Sequence, residues 1–316
     1  MNFRGENDDS TAQPRPGAWT RALWLAALGL AGGAQANTSN GYNLPIGVTS
    51  LSRDIYGLHM LVFWVCVGIA VVVFGVMIYA LVRFRHSQGA IPDTTLVHST
   101  RVEIIWTIIP VLILVAMAIP AAKVILMMED TRNSELSIRV TGYQWKWQYQ
   151  YMDAGEGVNF FSTLARDSNF ARELGSGIDP KTVNNYLLDV DNPMVIPSGT
   201  KVRLLITSQD VIHAWWVPDF GAKRSAVPGF VNELWFKVDS GKEGIYRGQC
   251  TSLCGRDHAF MPIVVDVRTP DDFKKWVEEQ KAAVKQAAAR GGPPSAVEPP
   301  AGGPPRSAQV LPQATN

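Results

Sequence analysis

Two thiols, an imidazole and a thioether fall within twelve consecutive residues, Cys250-Thr-Ser-Leu-Cys254-Gly-Arg-Asp-His258-Ala-Phe-Met261. A disulfide would account for the cysteines in an oxidising compartment, but it leaves His258 and Met261 without a purpose. Zinc accepts cysteine and histidine, yet a thioether is not among its usual ligands. Thiolate together with thioether selects a soft metal, and copper fits best. A second imidazole is available from His213 in Val211-Ile-His213-Ala-Trp-Trp216, one of only five histidines in the chain. A mononuclear blue-copper site needs two histidines, one cysteine and a weak axial group. The second thiolate is surplus to that and suggests two copper ions bridged by both sulfurs. Such a site carries electrons and leaves no open position for substrate.

These residues need elements to position them. From Glu135 to Arg268 the chain reads as short alternating runs separated by Gly, Pro, Asn and Asp, as in Leu136, Ile138 and Val140. The spacing predicts strands at Tyr186–Val190, Lys201–Thr207, Val211–Val217, Glu233–Val238 and Phe260–Val267, the signature of an all-β sandwich or barrel. Residues 152–185 read as a polar excursion with a helical turn near Leu164–Leu174. The β-domain is placed at 131–270, a terminal helix at 271–290 and a disordered Pro/Gly/Ala-rich tail at 291–316.

Upstream, Leu58 to Val82 and Ile104 to Ala122 contain no Asp, Glu, Lys or Arg. Each is long enough to cross a hydrocarbon core of about 30 Å as a helix. Membrane spans are assigned to 58–82 and 104–126, the second containing Pro110 and Pro120. Arg83, Arg85 and Arg101 lie between them, which places the loop 83–103 in the cytoplasm and both chain ends on the opposite side. Residues 1–36 read as a signal peptide ending at Ala34-Gln-Ala36, and 37–57 as an exported segment before the first span. Cys66 lies mid-span and is read as packing.

The whole composition agrees with a membrane-attached protein. The 316 residues are 47% hydrophobic and 18% charged, with a mean hydropathy of +0.02. A net charge of +1 excludes a protein that binds nucleic acid through a basic excess.

The cysteine motif with its upstream histidine, following a two-helix hairpin, resembles subunit II of a bacterial haem–copper cytochrome c oxidase, over roughly residues 45–280. The resemblance implies an N-terminal two-helix transmembrane hairpin followed by an all-β cupredoxin-like Greek-key domain. It implies a dinuclear copper centre, CuA, bridged by Cys250 and Cys254 and ligated by His213 and His258. Met261 and the backbone carbonyl of Ser252 would be its weak ligands. Electrons would come from cytochrome c and pass to haem in subunit I, where oxygen is reduced to water and protons are pumped. The implied setting is the inner membrane, with the β-domain in the periplasm and subunits I and III as partners. In Gly142-Tyr-Gln-Trp145-Lys-Trp147-Gln-Tyr149 the resemblance assigns Trp145 as the residue that takes up electrons, with Trp147 and Tyr149 expected on the same face. It places Glu103 at the mouth of a proton path and Asp210 near the cytochrome-docking surface.

Ser252 stands where the common pattern has Glu, whose side chain reaches a magnesium at the subunit I boundary. A serine lacks the charge to hold that ion comparably. Between Glu135 and Arg268 there are 15 acidic and 14 basic residues, so cytochrome docking is expected to be less salt-sensitive than in acid-rich relatives. A copper-delivery protein with a similar cysteine pair is disfavoured by the nearby His258 and the all-β pattern. A quinol oxidase subunit of the same superfamily lacks the copper ligands that this chain retains.

Overall fold

The computed structural model describes residues 43–89, 91, 95, 98–153 and 158–289. The expected signal peptide 1–36 and the expected disordered tail 291–316 lie outside the described residues, as do parts of the 83–103 loop. The unit that carries the site begins at Pro45.

Helix α1 spans Ser50–Arg83 and α2 spans Thr100–Met128, with Pro110 and Pro120 inside it. Each is long and apolar enough to cross a membrane. Val71, Val76, Leu112 and Ile119 face outward, which a lipid phase accommodates and water does not. Helix α1 begins eight residues before Leu58 because its first turn belongs to the β-domain. Thr49 caps that turn by accepting from the Ser52 amide at 2.9 Å, and Ser52 Oγ accepts from the Thr49 amide at 3.1 Å. The Thr49 hydroxyl also donates to the Phe220 carbonyl at 3.0 Å. Leu51 is buried in the domain core.

The β-domain contains β1 Leu136–Tyr143, β2 Lys146–Tyr151, β3 Asn159–Ser162, β4 Met194–Pro197, β5 Val202–Ser208, β6 His213–Trp216, β7 Lys223–Ala226, β8 Asn232–Phe236, β9 Gly244–Gln249 and β10 Pro262–Arg268. One sheet has the order β3-β2-β1-β5-β8, a second β4-β10-β9, and β6 pairs with β7. The pairs β1/β5 and β4/β10 are parallel and the others antiparallel. The chain crosses between sheets at β3/β4, β4/β5 and β8/β9 while hairpins such as β1/β2 and β9/β10 stay within one, as in a cupredoxin-like Greek-key sandwich. Period-2 alternation sends Ile138, Val140, Leu204 and Ile206 inward. Trp215 stacks on Phe236 at 6.0 Å and 3°, and Phe220 packs on Phe236 at 4.7 Å. Helix α4, Pro270–Ala289, closes one side by placing Trp276 5.2 Å from Tyr151.

Three sequence expectations need correction. Tyr186–Val190 is not a strand: Asn185 and Leu187 have φ of 50° and 61°, a left-handed turn geometry, and only Val190 bridges, to Leu164. The excursion 152–185 contains β3, and the helical turn within it is α3, Arg166–Ala171. The strand expected from Phe260 starts at Pro262, because His258–Phe260 forms a 3-10 turn.

Phe236→Ala is expected to cost about 3–5 kcal/mol, because the aromatic layer loses its shared partner. Urea unfolding of the full chain in detergent, followed by tryptophan fluorescence, measures this.

Candidate metal centre

The antiparallel pair β9/β10 ends with Gln249 opposite Pro262, so Cys250–Met261 is a loop thrown from one end of the hairpin. Strand β6 crosses beneath it. The Thr251 amide donates to the Ala214 carbonyl at 3.1 Å. Gly248 permits the approach, since a Cβ there would stand 2.0 Å from the Trp216 carbonyl oxygen. His213 opens β6 and is fully buried, with the Trp147 ring edge-on at 5.9 Å.

Sequence reasoning named six donors, and the fold gathers them. The sulfurs of Cys250 and Cys254 lie 3.9 Å apart. His213 Nδ1 is 4.0 Å from the Cys250 sulfur, and His258 Nδ1 is 3.4 Å from that of Cys254. Met261 Sδ stands 3.5 Å from the Cys254 sulfur, and the Ser252 carbonyl oxygen 3.3 Å from that of Cys250. Each thiol thus has its own imidazole and one weak donor beside it.

The two thiols sit in different electrostatic surroundings. Burial pushes the Cys250 thiol up, but hydrogen bonds from His213, the Ala214 and Ser252 backbone and the nearby imidazole more than reverse that, leaving it lowered. Burial and the adjacent Cys250 push the Cys254 thiol up to about 12. Two thiolates at this spacing repel unless positive charge lies between them. Burial works against a charged His213, whereas Cys250 and Asp210 hold its pKa above the ordinary value. The donor set fits a soft metal by its two sulfurs, its thioether and its two imidazoles.

Asp210 accepts from His213 Nε2 at 2.9 Å and from the Gln144 amide at 2.7 Å. Its burial favours the protonated form, and the hydrogen bonds from His213, Val211 and Gln144 outweigh that and lower its pKa. This acid therefore sets the orientation of the His213 ring, a role the sequence did not reveal. Trp145 departs from expectation. It lies in the two-residue turn between β1 and β2, outside the strand alternation, while Trp147, Tyr149 and Tyr151 point into the core. Its indole N–H donates to the Cys254 carbonyl at 3.2 Å, and Gln144 Nε2 donates to the same oxygen at 2.8 Å. Gln144 and Gly142 were missed, although both flank Trp145 in a segment already singled out. A Cβ at Gly142 would lie 2.7 Å from His213 Cδ2, so only glycine leaves room for that ring. Glu103 lies apart from the site, in the first turn of α2.

A family model described as cytochrome c oxidase subunit II, periplasmic domain, matches residues 136–268, and the transmembrane-domain model of the same subunit matches 37–124. A probable cytochrome c oxidase subunit 2 of Rickettsia bellii is 38% identical over 227 residues, 72% of this chain and 79% of that protein. This chain belongs to the cytochrome c oxidase subunit II family. The Arabidopsis thaliana subunit 2 is 37% identical over 237 residues, covering 73% of this subunit II and 86% of the plant protein. The periplasmic domain of subunit II from Bradyrhizobium japonicum is 41% identical, with a TM-score of 0.41, covering 48% of this chain and 97% of that one. As a subunit II, the chain is a membrane-bound component of a haem–copper oxidase, and its sulfur and imidazole cluster suits copper.

Gly142→Ala is expected to push the His213 ring out of place, at an overpacking cost of about 1–3 kcal/mol, and to lower copper per chain as read by metal analysis. Copper uptake by the metal-free subunit II must displace the Cys254 proton. A pH-stat titration should therefore record proton release, and the apparent affinity should fall as pH is lowered.

Proposed function

We propose that this subunit II accepts electrons from a c-type cytochrome at a dinuclear copper centre, CuA, and delivers them to haem in subunit I, where oxygen is reduced to water and protons are pumped. The observation that carries this reading is the pair of sulfurs 3.9 Å apart, each with its own imidazole nitrogen within 4.0 Å. Cys250, Cys254, His213 and His258 would hold the metals, with Met261 and the Ser252 carbonyl as weak ligands. When bound, the copper pair supplies a one-electron carrier whose charge is shared across both sulfurs.

The chain's own residues do the rest. Asp210 and Gly142 fix the His213 ring in one orientation, as partners of ligating histidines do. Met261, beside the Cys254 sulfur, and Trp147, edge-on to His213, are buried and help keep water from the cluster. Trp145 is half-buried and hydrogen-bonded to the backbone of Cys254, so one bonded route leads from a surface ring to a ligand. This supports Trp145 as the residue that takes up electrons from the docked cytochrome. Asp210 contributes to that surface with the exposed part of a carboxylate already engaged by His213.

The β-domain is assigned to the periplasm by the arginines of the 83–103 loop, with the two helices in the cell's inner membrane beside subunits I and III. Glu103, at the cytoplasmic end of α2, is assigned to a proton path into subunit I. Ser252 offers a neutral hydroxyl where a carboxylate would supply charge, so this chain would hold a magnesium at the subunit boundary less strongly than a relative with glutamate there.

Copper analysis with electron paramagnetic resonance on the purified full chain tests the reading. Two coppers per chain sharing one delocalised unpaired electron are expected; a single copper, or a signal confined to one ion, would overturn it. Trp145→Phe is expected to slow electron uptake from reduced cytochrome c sharply in stopped-flow traces, with copper content unchanged.

A further inference from the structure

Between β3 and β4 the chain makes a closed loop with its own neck. The Thr163 amide and hydroxyl both donate to the Asp191 carboxylate at 2.7 Å, and the Ala165 amide donates to the Asp189 carbonyl at 3.0 Å. Inside, Ser168 Oγ on α3 accepts from the Leu187 amide at 3.1 Å. Two side chains tie this loop to the metal-binding segment. Arg172, at the end of α3, places its guanidinium 4.4 Å from the Phe260 ring centroid and 3.8 Å from Asp257 Oδ1. Asp257 and Phe260 bracket His258 in its 3-10 turn. Asn169 Oδ1 accepts from Arg172 Nε at 2.8 Å and fixes the guanidinium from behind. Asp189 lies 3.8 Å from Arg247 on β9, the strand that leads into Cys250. Arg256 also approaches Asp257, at 3.5 Å, but its side chain is 84% exposed against 27% for Arg172. The less solvated Arg172 pair is the one water weakens less.

We propose that residues 163–191 clamp the metal-binding segment, with Arg172 as the positioning residue for His258. This rests on the copper-centre reading above. A planar guanidinium suits the task, since it pairs with a carboxylate and lies over an aromatic face at once. The clamp acts on the turn that carries His258 and, through Asp189, on the strand before Cys250. It thereby limits how far one imidazole ligand moves relative to the sulfurs.

The test uses Arg172→Gln, which removes the charge, and Arg172→Lys, which keeps it, in the full chain. Hydrogen exchange on the metal-free protein reads the clamp without any metal. In the Gln variant, exchange should quicken at the amides of His258 and Phe260, which donate to Gly255 and Asp257, while β5 and β8 stay protected. The Lys variant should regain part of that protection. Asp257→Asn breaks the same pair from the other side and should give the same local pattern. In the copper-loaded protein, loss of copper to a chelator should rise on the order of tenfold in Arg172→Gln, with an altered paramagnetic line shape. Unchanged exchange at the two amides would overturn the proposal, as would faster exchange spread evenly through β5 and β8. A wild-type chain that takes up no copper defeats the copper-centre reading, while the exchange data still decide the clamp.

Discussion

Two buried sulfur atoms held 3.9 Å apart are the constraint on which this domain depends. Ionising both without a cation is opposed by burial and by mutual repulsion. The surrounding structure answers that cost with directed groups: an imidazole for each thiol, a carbonyl, a thioether and an acid behind one histidine. No one element supplies them all. They arrive from the end of β5, the start of β6 and the β9–β10 loop, which meet at one end of the sandwich. The rigid part of the fold is thus a frame for one loop, and the aromatic layer of Trp215, Phe220 and Phe236 keeps that frame from yielding.

The β1–β2 turn illustrates how close the coupling is. Gln144 and Trp145 both donate to the carbonyl of Cys254, and the Gln144 amide donates to the acid that orients His213. One two-residue turn therefore touches both halves of the ligand set. A disturbance at the surface ring reaches the backbone of one ligand and, through Asp210, the ring of another.

The candidate metal donors were legible in the sequence because each is a rare residue type at informative spacing. His213 stood out among five histidines, and Cys250, Cys254, His258 and Met261 are contiguous. The helical hairpin was legible because a long, uncharged apolar run suits a lipid-spanning helix and little else. What periodicity concealed were the short strands β4, β7 and β9, and the turn at Trp145. An alternating pattern continues across a tight turn, so the sequence placed Trp145 on the face of Trp147. The role of Asp210 was hidden because a carboxylate three residues before a histidine has many uses, and only the fold aims it at Nε2. Gly142 and Arg172 act across long sequence separations, against side chains that no local pattern brings near. Tyr186–Val190 misled because its apolar residues alternate while its backbone turns left-handed.

The first turn of α1 and the last turn of α2 are both built into the β-domain. The Val48 amide donates to the Asp219 carbonyl at 2.9 Å and the Asp239 amide to that of Val48 at 3.1 Å. At the other helix, Trp235 Nε1 donates to the Met127 carbonyl at 3.1 Å, and Arg224 pairs with Glu129 at 2.6 Å. The domain is fastened to its two helices at separate points, leaving no hinge of free chain between lipid and sheet. Its sulfurs then sit at one height and one tilt above the bilayer. Electron tunnelling decays exponentially with gap width, so under the proposed function a fixed height would hold the transfer distance, and with it the rate, constant while the membrane around the helices fluctuates.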